Sequence, residues 1–255
     1  MTTQAQAQLD GSTDVMSHQR RIVGMPEYRI RGVLMSSLTR SLTQRVVGPY
    51  GGNSLSARAR VKRWRVFAET FPNISEMSVL DLGGTAQAWR LAPVRPAHLT
   101  LWNLFPQNVP DEPWIEPLIK DACNPGEVPA GIDLIYSNSV IEHVGGHWRR
   151  ERFAEAVRTA DRYWVQTPNR YFILEPHFMF PWLQHLPFWL RKTALLKWPF
   201  GHGVGASNVD EALQMVLDID LLSLTELRFY FPDAEIFRER AGGLTKSLVA
   251  FKCGD

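Results

Sequence analysis

Val79-Leu80-Asp81-Leu82-Gly83-Gly84-Thr85 is the stretch on which the reading of this chain turns. An apolar run broken by one acid reads as a strand covered on both faces, and two glycines end it ahead of a possible helix. Such a strand-to-helix turn brings backbone close to a ligand at the carboxyl edge of a parallel sheet, where only glycine avoids a Cβ clash. The three-glycine dinucleotide fingerprint is absent, as is the acid expected about 20 residues downstream, so a nicotinamide-dependent oxidoreductase is disfavoured.

Outward from this turn, short apolar strands alternate with crossovers, the pattern of an α/β parallel sheet. The strands expected are 78–82, 98–104, a short one before Asp121, 132–137 and 163–167. A charged helix is expected over 149–160, with Phe153, Ala156 and Val157 inward. Near the C-terminus, 225–231 and 245–252 are strand-like and separated by a segment containing Asp233 to Arg240. The strand ends carry polar groups: Asn103 on the second, Asp121 and Ala122 after the third, and Asn138 on the fourth, ahead of Val140-Ile141-Glu142-His143-Val144. Asn103 can hydrogen-bond a diol, and Asp121 can accept from an exocyclic amine while Ala122 leaves room for a flat ring.

At 255 residues the chain has room for one full core, and its composition, 45% hydrophobic and 21% charged, excludes global disorder. Cys123 and Cys253 lie far apart without metal-ligand spacing, and none of the seven histidines is read as part of a deliberate metal-ligand pair, so no metal is expected. Without a basic residue and apolar run at its start, the chain reads as cytoplasmic. Residues 1–18 read as a disordered tail and 19–255 as one domain, with 19–71 forming a helical cap. That cap includes a loosely helical run over 33–47, a turn at 48–52, and a basic helix ending near Phe71 and capped by Ser54 or Ser56. Residues 1–65 hold eleven Arg or Lys against Asp10, Asp14 and Glu27, an asymmetry that suits an anionic partner or an acidic membrane surface.

Residues 171–200 contain four prolines and nine Phe, Trp or Tyr residues. The prolines, charges and histidines argue against a spanning helix, and an aromatic lid over the cleft is expected, with peripheral lipid contact open to its exposed face. Glu175-Pro176-His177 sits in it, just past the fifth strand, among aromatic residues that suit an acceptor pocket.

The run VLDLGG, the Asp121-Ala122 pair and IDLIYSNSVIEHVGG resemble the successive signature segments of the class I S-adenosylmethionine-dependent methyltransferases, in their small-molecule, type 11 branch. The likeness covers about residues 77–170, and FPDAEIFRERAGGLTKSLVAFK resembles the late hairpin that closes the methyltransferase sheet. The resemblance implies a Rossmann-like three-layer sandwich with a mostly parallel seven-stranded sheet and an antiparallel last strand. It implies S-adenosyl-L-methionine as cofactor, with Gly83, Gly84 and Thr85 at its methionine portion, Asp81 orienting either the glycine loop or the methionine amino group, Asn103 at the ribose, Asp121 and Ala122 at adenine, and Asn138 beside the sulfonium. The chain departs from the family at Thr85 and Gln87, where glycines are usual, and at Asn103, where an acid is usual.

Methyl transfer by in-line displacement needs orientation more than a base, but His143, His177 and Glu175 are the candidates should the acceptor's proton need removing. The acceptor is expected to be a small molecule such as a sugar, lipid or secondary metabolite. A nucleic-acid methyltransferase is disfavoured because SNSV lacks the amino-methylating tetrad, and a non-catalytic binding protein on the same fold is the other alternative. Monomer and homodimer are both compatible with the sequence.

Overall fold

A computed structural model describes residues 55–109, 111–124, 126–178, 180–197 and 208–254. The expected tail at 1–18, the helical run at 33–47, the turn at 48–52 and Ser54 lie outside the described residues.

The glycine turn sits where the reading placed it. Strand β1 (Ser78–Leu82) lies at the centre of the sheet, in parallel register with β2 (His98–Asn103) on one side and β4 (Leu134–Asn138) on the other. Strand β3 (Ile115–Ile119) flanks β2 at the edge and holds Pro117, which a strand tolerates there because one side needs no ladder donor. Strand β5 (Arg162–Pro168) continues parallel to β4. After β6 (Leu174–Glu175) and β7 (Phe180–Pro181) pair apart as a small hairpin, β8 (Glu235–Ala241) and β9 (Leu244–Cys253) form an antiparallel hairpin. Strand β9 inserts antiparallel between β5 and β8, so the order is β3-β2-β1-β4-β5-β9-β8. The hairpin turns on Gly242 and Gly243, both at positive φ, the conformation a two-residue turn with the native twist requires.

Alternate residues of each central strand enter opposite cores, which is why these strands read as continuously apolar. Val79, Leu134 and Tyr136 join Phe67, Phe71 and Trp89 under helices α1 (Leu55–Thr70) and α2 (Ala86–Arg90). On the other face, Leu80, Leu82 and Ile135 join Phe153, Val157 and Leu227 under α3 (His147–Val157) and α6 (Leu224–Tyr230). The fold is therefore a three-layer, Rossmann-like α/β sandwich with a seven-stranded sheet, mostly parallel and with its last strand reversed.

Two expectations change. Residues 225–231, read as strand-like, are helix α6, because Ser223 and Glu226 form a reciprocal capping box and Leu224, Leu227 and Tyr230 recur at helical spacing. The segment containing Asp233 to Arg240, read as a separator, holds β8 instead. The aromatic segment contains β6, β7, a 3-10 turn at Leu183–His185 and α4 (Phe188–Lys197). With α5 (Val209–Leu217) it encloses its own small core of Leu183, Leu195, Ala212, Met215 and Val216. Among the described residues no helix is long and apolar enough to cross a membrane.

Candidate active site at the carboxyl edge of the sheet

The strand order reverses between β1 and β4, the switch point at which open α/β sheets bind ligands. The glycine turn opens there. Gly83 has φ +84°, and a Cβ on it would meet Val140 Cγ2 at 2.6 Å; a Cβ on Gly84 would lie 1.7 Å from Asp81 Oδ2. Asp81 is 1% exposed, and burial pushes its pKa up to about 7 against the lowering effect of hydrogen bonds from the Trp89 indole and the Gly84 amide. Trp89 Nε1 donates to Oδ2 at 2.7 Å, while Oδ1 has no partner among the described residues.

Thr85, which stands where glycine was anticipated, caps α2 by accepting from the Ala88 amide at 3.3 Å. Asn103 Nδ2 donates to the Gly84 carbonyl at 3.0 Å, fixing the turn from the end of β2. Gln107, which the sequence reading passed over, straps the same turn: its Oε1 accepts from the Ala86 amide at 2.9 Å and its Nε2 donates to the Gly84 carbonyl at 2.7 Å. A glutamine in an irregular loop offers no spacing by which to find it.

Asn138 ends β4 on the other side of the switch point, and its Oδ1 accepts from Arg63 Nη1 at 2.7 Å. Arg63 also pairs with the buried Glu239 of β8 at 2.8 Å. Helix α1 thus brings its basic face over the edge, where Arg60, Arg63 and Trp64 join Asp81, Gly83, Gly84, Thr85 and Asn138 around a pocket of about 120 Å³. Trp64 stacks on Tyr136 with ring planes 3° apart. The next residue, Ser139, holds φ +57°, a strained conformation for a side-chain-bearing residue and one that clusters at functional sites.

Asp121 and Ala122 are not part of that pocket's lining. Arg149 Nη2 grips both Asp121 oxygens, at 3.1 and 2.9 Å, and the Cys123 amide donates to Oδ1 at 2.9 Å. Ala122 packs against the core.

The three proposed proton handlers come together in space, away from the glycine turn. His143 Nε2 and His177 Nε2 are 3.1 Å apart, and His177 Nδ1 is 2.6 Å from Glu175 Oε1. Burial, together with the charge of His177, holds the His143 pKa down to about 4, against a hydrogen bond to the Asp218 carbonyl. Burial also opposes charge on His177, but its hydrogen bond to Glu175 and the carboxylates of Glu175 and Glu142 lift its pKa above the ordinary value. Glu142, 1% exposed, lies beside them; burial raises its pKa, against the charge of His177 and the hydroxyl of Thr167. A second pocket, of about 290 Å³, is lined by Arg170, Glu175, Gln184, Arg191 and Asp220, among others. The insertion's outer surface exposes Trp182, Phe188 and Trp189.

No family model matches the chain, and no curated protein matches it in sequence. Among solved structures, it is similar to the N-methyltransferase NodS from Bradyrhizobium japonicum WM9 (14% identity, 76% of this chain and 95% of that one, TM-score 0.42). It is also similar to the methyltransferase domain of bacterial CtHen1-C (11% identity, 77% and 100% covered, TM-score 0.47). A third is the N-terminal domain of EvdMO1 in the presence of S-adenosyl-homocysteine (SAH) and D-fucose (16% identity, 88% and 100% covered, TM-score 0.45).

Proposed function

We propose that this chain is an S-adenosylmethionine-dependent methyltransferase acting on a small polar acceptor. The observation that carries the reading is the cradle at the switch point: a buried carboxylate with an unpartnered Oδ1 beside two glycines whose missing Cβ atoms leave room for nothing larger. Around it stand the sheet order with its reversed β9 and the signature segments whose resemblance the sequence carries.

The residues fit the cofactor. Asp81 Oδ1 supplies an acceptor for the ammonium of a methionine moiety, and the positive wall of Arg60 and Arg63 suits its carboxylate. Asn103 holds the glycine turn in shape through Nδ2 and would face the ribose when the cofactor is bound. Asp121 and Ala122 are assigned to adenine, with Asp121 Oδ2 keeping a lone pair beyond its bond from Arg149. When bound, the cofactor supplies an electrophilic methyl group on a sulfonium. Asn138, held by Arg63 at the end of β4, positions the reacting region, and Trp64 stacked on Tyr136 screens it from water. Helix α1 acts as a cap and 171–200 as the acceptor side. The pocket there is small, with two arginines, two carboxylates and a buried Gln184 Oε1 that has no partner among the described residues, features that favour a compact polar acceptor. His143, His177 and Glu175 stand on this side as the proton handlers, should the acceptor need one.

Isothermal titration of the full chain with S-adenosylmethionine and with its demethylated product is the direct test. Saturable one-to-one binding of both, with a rise in melting temperature, is expected. No heat and no thermal shift at millimolar cofactor overturn the reading.

A further inference from the structure

We infer that Glu142, His143 and His177 form a binding site for a divalent transition metal ion, with zinc the best match to its two-nitrogen, one-oxygen donor set. The inference does not rest on the methyl-transfer reading, and an ion held by both Nε2 atoms takes the two histidines out of the proton-handling role.

Hydrogen-bond accounting leads to it. Among the described residues, the three side chains each offer a ligand atom within 4.8 Å of the others. His143 Nδ1 faces the Asp218 carbonyl at 3.3 Å, and a carbonyl can only accept, so the proton of a neutral His143 sits on Nδ1. His177 Nδ1 faces the Glu175 carboxylate at 2.6 Å, which places the proton of a neutral His177 on Nδ1 too. Both Nε2 atoms then present lone pairs to each other at 3.1 Å, a repulsive arrangement unless a cation lies between them. Two nitrogens bound to one tetrahedral zinc at about 2.0–2.1 Å stand about 3.3–3.4 Å apart, so the observed spacing is near what a shared ion needs.

The carboxylate makes the second, independent argument. Glu142 is 1% exposed; Thr167 donates to its Oε2 at 3.0 Å, while Oε1 has no hydrogen-bond partner among the described residues. A buried carboxylate oxygen left without a donor is costly, and a metal ion satisfies it. Charge runs the same way. Glu142 and Glu175 face the two histidines, and the nearby cation, Arg150, is engaged with Asp220.

The surroundings are those of a ligand set held in place. Each histidine has its far nitrogen fixed by an oxygen acceptor and the carboxylate is oriented by a hydroxyl, the outer support that ligating histidines and carboxylates use. Ile141, beside Glu142, is anchored in the core, and the Asp220 amide donates to the Glu142 carbonyl at 3.0 Å. His177 comes from the loop between β6 and β7, so an ion here ties the insertion to the turn after β4. Glu175 links it to the 290 Å³ pocket.

The rival occupant is a proton: an imidazolium on His177 donating to His143 satisfies the two nitrogens but not Glu142 Oε1. The full chain, stripped with a chelator and titrated with Zn²⁺, separates the two. One ion per chain at micromolar or tighter affinity is expected, with a rise in melting temperature. Co²⁺ in its place is expected to give the intense visible bands of a low-coordinate nitrogen–oxygen site, and Mg²⁺ to bind far more weakly. His143→Gln and His177→Gln are each expected to abolish Zn²⁺ binding, and Glu175→Gln, which removes only the outer support, to weaken it about 10- to 100-fold. Absence of stoichiometric Zn²⁺ binding to the wild-type chain overturns the inference, as does Zn²⁺ affinity unchanged in folded His143→Gln and His177→Gln. If those variants do not fold, the wild-type chain decides through the nitrogen-15 signals of its two Nε2 atoms. Zn²⁺-induced shifts at both support the site, and signals that respond to pH but not to Zn²⁺ overturn it.

Discussion

Asp81 and Glu142 are both 1% exposed, both have pKa values raised by burial, and both lie near the carboxyl end of a central strand, Asp81 within β1 and Glu142 in the turn after β4. They differ in where their partners come from. Asp81 is wired locally, to Trp89 eight residues on and to the amide of Gly84. Glu142 depends on Thr167, His177 and Arg150, which three other segments deliver. A buried charge served by its own turn forms with that turn, whereas one served by distant segments is completed only when they dock. The glycine turn is accordingly a fixed floor, and the histidine cluster is a clasp between core and insertion.

The sharpest way to break this comparison is through pH. Asp81 titrates at about 7 in the folded chain against an ordinary value of 3.8, so between these values the folded state keeps a proton that the unfolded chain has lost. Its contribution is therefore fully present below about pH 4 and is lost as pH rises through 7, amounting to about 4 kcal/mol across the window. Asp81→Asn should flatten this slope and raise stability at pH 8, measured by urea unfolding across pH. The same change should weaken cofactor binding, because the ammonium acceptor loses its charge. A variant with an unchanged pH slope would show that Asp81 is not the buried titrating group, and the local wiring argument would fail with it.

Next in size is Gly84→Ala. The new Cβ would overlap the Asp81 carboxylate, so Asp81 must leave the Trp89 indole, and overpacking together with the lost hydrogen bond costs about 3 kcal/mol. At about 2–4 °C per kcal/mol for a chain of this size, the melting temperature should fall by about 6–12 °C. Adding Asp81→Ala removes the overlapping atoms, so the double variant should lose less than the sum of the singles. Strict additivity would mean that the turn is not as tightly wired as its geometry implies.

The elements legible in the sequence were those decided within a few residues. The apolar run and paired glycines located β1 and the turn after it, and the polar strand ends led to Asn103 and Asn138. Residues 225–231 misled because four apolar residues among polar ones fit both periods; the capping box of Ser223 and Glu226 was the local signal that decides for a helix. No local signal existed for Gln107 strapping the glycine turn, nor for Arg63 reaching both Asn138 and Glu239 across the sheet. His143 and His177 were singled out as separate candidates for proton transfer. Their facing nitrogens arise from the docking of the insertion, which periodicity does not encode. The expectation of no metal, drawn from sequence spacing alone, is the one that the inferred site would revise.

The smallest effect concerns Asp121, the acid that resemblance assigns to adenine. Unlike Asp81 and Glu142 it is solvent-accessible: its carboxylate is 34% exposed and that of its partner Arg149 46%. Water screens such a pair, so Asp121→Ala should cost no more than about 1 kcal/mol of stability. If Asp121 also accepts a hydrogen bond from adenine, losing that charge-assisted bond should weaken cofactor binding by about 10- to 150-fold, a fold-change equivalent to about 1.5 to 3 kcal/mol. Melting temperature and cofactor dissociation constant, measured on the same variant, therefore move by very different amounts if the assignment is right. A stability loss near that of Gly84→Ala with unchanged affinity would instead make Asp121 a loop anchor, gripping Arg149 and the Cys123 amide. Arg149→Ala distinguishes the two roles: as an anchor it should reproduce the Asp121→Ala stability loss, and as a cofactor contact Asp121 should keep most of its affinity without it.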